Sequence, residues 1–130
     1  MRIVSTERAP RPAGHYSQAV VHDGLAWVAG QLPIDPAAPD APPGDPETQI
    51  RRALHNVAAI LEAAGTDLSH LLQVTIFVSD PSLWGDVNRV FAELLGEHRP
   101  ARAIIPSGEL KRGYLLEITA VAVVPPAPAG

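Results

Sequence analysis

The chain has 130 residues, 46% of them hydrophobic, with ten Lys/Arg against fourteen Asp/Glu and a net charge of −4. That length fits one domain with a single core, and the scattered basic residues leave no electrostatic footprint for nucleic acid or a membrane surface. Cysteine is absent, which removes disulfides, thiolate nucleophiles and Cys-type metal sites, and two Phe, two Tyr and two Trp offer no platform for stacking bases.

The amino-terminal residues show no basic stretch followed by an apolar one, so no secretion signal is expected, and no apolar run approaches the ~20 residues that span a bilayer. The expectation is a cytoplasmic protein. Ala19-Val20-Val21-His22 and Leu25-Ala26-Trp27-Val28-Ala29 flank Asp23-Gly24. Asp-Gly between two apolar runs signals a β-hairpin. From Pro33 to Pro46 the chain carries six prolines without apolar periodicity, which reads as an irregular but ordered loop. Asp45-Pro46-Glu47 reads as a helix N-cap, N1 proline and acidic first turn. Ile50, Leu54, Val57, Ile60 and Leu61 then recur at helical spacing until Gly65 stops the helix.

Leu72 to Val78 is rich in β-branched residues and reads as a strand. Asp80-Pro81 opens a second helix by the same device, with Leu83, Val87, Phe91 and Leu94 as its apolar stripe and Gly96 as its end. Two strands follow, around Arg102 and Glu117, joined by Pro106 to Gly113. The domain is expected to span residues 1–124, with Pro125 to Gly130 as a frayed tail. Trp27 and Trp84 fall on apolar stripes and are read as core.

Hairpin, helix, strand, helix, strand, strand is an α+β order: a mostly antiparallel sheet with two helices on one face. In the last strand Leu116, Ile118, Ala120, Ala122 and Val124 suit the helix-covered side. The opposite set, Leu115, Glu117, Thr119, Val121 and Val123, is too apolar for water, so another subunit is expected to cover it.

Arg102 and Glu117 stand out against this pattern, each being a charge in a segment that otherwise reads as buried strand. Desolvating an isolated ion costs several kcal/mol or more, so such charges are paired or working. On adjacent strands they could form a structural ion pair, or line a pocket for a small anion. The five histidines have no metal-ligand spacing, Ser17 and Ser107 have no evident histidine partner, and glycine-rich phosphate loops are absent.

Seven segments resemble the RidA (YjgF) family of enamine/imine deaminases. They are Gly14-His15-Tyr16-Ser17-Gln18-Ala19, Ala29-Gly30-Gln31-Leu32-Pro33, Leu61-Glu62-Ala63-Ala64-Gly65, the run from Val74 to Asp80, Val87-Asn88-Arg89-Val90-Phe91, Pro100-Ala101-Arg102-Ala103, and the run from Leu116 to Ala122. Each alone is weak; all seven in order, with the glutamate fifteen positions after the arginine, make a specific pattern. The resemblance implies a chorismate-mutase-like two-layer domain, a homotrimer built round a barrel of sheets, and sites in the clefts between subunits. It implies a cofactor-independent hydrolysis of 2-imino or enamine acids to 2-keto acids and ammonia, with small 2-imino or 2-keto acids as ligands.

On the same ground Arg102 would hold the substrate carboxylate, which its planar fork can grip bidentately. Glu117 would handle the proton or the water, as a carboxyl in apolar surroundings can. Tyr16 would pack over the ligand, Gly30 would let backbone approach it, Ile104 would offer its backbone, and Asn88 would touch the ligand or tie a loop at the subunit contact. Two departures bear on substrate range. Ala29 stands where many members carry serine, and Ile104-Ile105-Pro106-Ser107-Gly108-Glu109 differs from the commoner Val-x-Val-x-x-Leu-Pro. The alternative is a non-catalytic trimer of the same family that binds small carboxylates or regulates a partner.

Overall fold

In a computed structural model, which describes residues 1–127, the sheet begins with a strand the sequence reading does not anticipate. β1 (Arg2–Val4) is only three residues long and pairs antiparallel with β2 (Ala19–His22). It is too short to show a period, and tertiary contacts hold it: Arg2 Nη2 donates to the Ala64 carbonyl at 2.7 Å. Asp23 and Gly24 then take φ of 50° and 75°. Two successive positive φ values turn the chain with the twist a hairpin needs, so β2 runs directly into β3 (Leu25–Gln31).

The first helix, α1 (Pro46–Ala64), has the expected ends. The Asp45 carboxylate accepts from the Thr48 amide, Pro46 sits at the start, and Gly65 closes the helix with φ of 92°. Its stripe of Ile50, Leu54, Val57, Ile60 and Leu61 is fully buried. β4 (Leu71–Val78) follows. Asp80 caps a single 3₁₀ turn, Pro81–Leu83, rather than the helix itself, and the turn leads into α2 (Trp84–Leu95). β5 (Ala101–Pro106) and β6 (Leu116–Val123) complete the fold.

The sheet order is β1-β2-β3-β6-β4-β5, antiparallel except for the parallel pair β4–β5. Both helices cover one face, giving a two-layer α+β fold with its core between the layers. β6 alternates as expected, with Leu116, Ile118, Ala120 and Ala122 buried and Glu117, Thr119, Val121 and Val123 half-buried on the other face. No helix among the described residues is long and apolar enough to cross a membrane. The expected tail lies partly outside the described residues, at 128–130.

Three expectations are corrected. The strands bearing Arg102 and Glu117 are not adjacent, because β4 lies between them. A parallel strand needs a crossover, and α2 carries the chain over so that β5 lands on the outer edge of β4. The more apolar β6 takes the central position beside β3. β5 is therefore an exposed edge rather than a buried strand, with Ile105 41% exposed. Trp27 and Trp84 are not core; they are 49% and 57% exposed. Trp27 pairs with Val121 on the face the helices leave open, and Trp84 begins α2 on its outer side.

Candidate active site

Arg102 is paired in register with Val74, a buried residue of the helix-covered face. Its side chain accordingly lies against α2. Nη2 donates to Asn88 Oδ1, and the guanidinium carbon sits 5.9 Å from the centre of the Phe91 ring. Asn88 and Phe91 are three residues apart on the helix, hence on one face, so a single turn of α2 holds the fork by a hydrogen bond and a cation–π contact. No ion pair among the described residues includes Arg102. The cation is oriented but not neutralised, and it opens onto a groove of about 350 Å³.

Glu117 is paired with Phe77 and lies on the opposite, open face. Its carboxyl rests on Gly30: a Cβ built at that glycine would stand 2.8 Å from Glu117 Cδ and 3.0 Å from Oε1. The β3–β6 register shifts between Val28 and Gln31, so Gly30 also lies in a bulge. Gln31 Nε2 donates to the Ala29 carbonyl at 3.1 Å, and the Ala29 amide to the Gln18 carbonyl at 2.9 Å, which fixes the bulge. Within this chain, what approaches the Gly30 backbone is the Glu117 carboxyl.

Tyr16 stands in the loop before β2, 53% exposed, with its Oη accepting from the Ala13 amide at 3.3 Å. Ile104 is half-buried against the core beside Ile76, and the outer edge of β5 has no neighbouring strand among the described residues. The fold therefore gathers the expected residues into two groups, Arg102 with Asn88 and Glu117 with Gly30. No hydrogen bond or ion pair among the described residues joins the groups, and they face opposite sides of the sheet with β4 between. The Arg102–Glu117 ion pair considered from sequence does not exist within one chain.

Buried amides to which the sequence pattern assigns no role support these groups. Gln18 accepts from the Thr6 amide at 2.7 Å and donates to the carbonyls of Thr6 and Pro10, holding the loop that carries Tyr16. Gln49 accepts at 2.9 Å from the amide of Leu115, the residue just before β6 and two before Glu117, and donates to the Gly44 carbonyl. Asn56 donates to the carbonyls of Leu32 and Ile34, fastening the chain after the bulge to α1. The available signal was spacing: Gln49 and Asn56 interrupt the apolar stripe of α1, and a buried amide must be satisfied.

Residues 6–124 match the family described as Endoribonuclease L-PSP. A RutC family protein of Pyrococcus horikoshii is 41% identical over 120 residues, covering 92% of this chain and 95% of that protein. The 2-iminobutanoate/2-iminopropanoate deaminase of Capra hircus is 38% identical over 125 residues, covering 96% and 91%. The crystal structure of E. coli TdcF with bound serine aligns at a TM-score of 0.89 and 32% identity, over 95% of this chain and 98% of that one.

Proposed function

Because the chain belongs to the Endoribonuclease L-PSP family, the RidA (YjgF) family that its motifs resemble, we propose that it hydrolyses 2-imino acids to 2-keto acids and ammonia. The observation that carries this reading is Arg102, a guanidinium held in position by Asn88 and Phe91 with no acid among the described residues to neutralise it. Its remaining N–H donors suit the carboxylate of an imino acid. Deaminase relatives at this level of identity support the reaction class, and a relative with bound serine supports a ligand of amino-acid size.

The chemistry needs water added at C2 and two protons moved. As water attacks, Glu117 takes one of its protons and passes it to the imine nitrogen, leaving a carbon that bears both hydroxyl and amine. Glu117 then relays the hydroxyl proton to the amine, the carbon–nitrogen bond breaks, and ammonia leaves as the ketone forms. Such assistance is typically worth 10²–10⁴-fold. Fork and carboxylate face opposite sides of one sheet, so the site needs Arg102 from one copy and Glu117 from another. A homotrimer that covers the apolar open face meets this need, and Tyr16, Gly30, Asn88 and the Ile104 backbone are the proposed surroundings of the ligand.

The test is ammonia release from imines generated in situ by an amino-acid oxidase. Added protein should accelerate release from the alanine and 2-aminobutyrate imines. No acceleration, with binding of 2-keto acids retained, would return the chain to the carboxylate-binding alternative.

A further inference from the structure

The groove beside Arg102 is far larger than the one- or two-carbon side chain of 2-iminopropanoate or 2-iminobutanoate, at about 350 Å³. Its walls are chiefly apolar: Phe91, Ala92 and Leu95 from α2 and Pro100 from the entry to β5, with Asn88 and Arg102 at one end. Gly96, where α2 stops, adds no side chain to fill it. His98 does not compete for a ligand with both ring nitrogens, since Nε2 is bound to the Leu71 carbonyl at 2.8 Å. The groove therefore joins one anchored cation to an apolar trough.

A 2-imino acid whose carboxylate sits on Arg102 has its side chain attached one carbon further on. From that anchor the trough lies within reach of the side chain, whereas the short side chains would leave it to water. We infer that this site, read as above, favours 2-imino acids with long aliphatic, branched or aromatic side chains over the three- and four-carbon ones. The preference comes from burial of hydrocarbon, and each methylene removed from water is worth about fourfold in affinity or specificity. Arg99 also lines the groove and is exposed.

The experiment compares kcat/KM for imines made in situ from alanine, 2-aminobutyrate, norvaline, leucine and phenylalanine, beside calorimetric affinities for the matching 2-keto acids. Both series should climb by about fourfold per added methylene until the trough is full. Ala92→Phe, which fills the trough from an exposed helix position, should compress the ratio between the leucine- and alanine-derived compounds towards one in both series. Constants that stay flat or fall with side-chain length would overturn the inference while leaving the deaminase reading intact. A protein that turns over no imine would overturn that reading, and the keto-acid affinities would still decide whether the trough selects large side chains.

Discussion

Glu117 and Gly30 form a contact in which the smallness of one residue sets the position of the other. Any side chain at position 30 would meet the Glu117 carboxyl at 2.8 Å, closer than carbon atoms approach. Gly30→Ala should therefore displace the carboxyl and lower kcat, while affinity for a 2-keto acid, held by Arg102, stays near its starting value. In a Glu117→Ala background the same change should cost nothing further, because the colliding atoms are gone. Additive losses in that double-mutant cycle would show that Gly30 acts through something other than Glu117. Glu117→Gln keeps the shape but cannot relay a proton, so turnover should fall about 10²–10⁴-fold with little change in keto-acid binding measured by calorimetry. Arg102→Lys keeps the charge and loses the fork; kcat/KM should fall by one to two decades, roughly 1.5–3 kcal/mol, with thermal unfolding unchanged. Full activity in Arg102→Lys would mean that the fork is not what holds the substrate. At this scale the sequence was informative about charges, since an ion among apolar neighbours is conspicuous. It was silent on what each ion touches: Asn88 and Phe91 reach Arg102 only because the crossover lays α2 over β5.

Helix ends were the most legible elements. Asp45-Pro46 and Gly65 act locally, through one side-chain acceptor and one left-handed residue, and need no knowledge of the rest of the fold. Strand placement was less legible, because β1 is made by its partners and the edge position of β5 follows from topology. The exposure of Trp27 and Trp84 escaped for a related reason: apolar patterning marks a surface to be covered without saying whether the same chain covers it. Between the helices runs a set of ion pairs whose hub is Glu47. It accepts from Arg89 at 2.6 Å and Arg51 at 3.1 Å, and Arg51 also reaches Glu93 while Arg89 reaches Asp86. These bonds, that from Arg89 first, hold the Glu47 carboxyl below its ordinary value of 4.5. A carboxyl depressed in the folded state stabilises the fold above its unfolded pKa and loses that contribution as pH falls through the folded one. Glu47→Gln should therefore lower Tm at neutral pH, and the gap from the unmodified protein should close as pH drops below the ordinary glutamate range. A gap in calorimetric Tm that persists unchanged into acid would mean that the pairs do not fasten α2 to α1. Because α2 carries Asn88 and Phe91, this fastening also bears on the orientation of Arg102.

At the scale of the whole molecule, one chain is an incomplete machine for the proposed reaction. The helix-free face exposes Trp27 and half-exposes Thr119 and Val121, an apolar surface of the kind that another subunit covers. The strand alternation that pointed to an oligomer was legible in sequence, since period-two patterning assigns residues to faces directly. The separation of Arg102 from Glu117 was not, because it depends on β4 entering between β6 and β5 and on which face each side chain takes. In the proposed reaction, that separation makes a subunit contact part of the chemistry.

The most direct test of that claim is complementation between two inactive chains. Arg102→Ala and Glu117→Gln variants, each expected to have lost nearly all turnover, would be co-expressed, or dissociated and reassembled together, and assayed for imine hydrolysis. If every site takes its arginine from one subunit and its glutamate from the next, random mixing restores about a quarter of the sites, each joining an intact arginine to an intact glutamate. That recovery is the expected result, with activity absent from either variant treated alone. Mixed oligomers, verified by mass, that remain as inactive as their parents would contradict it and place both residues' action within a single chain.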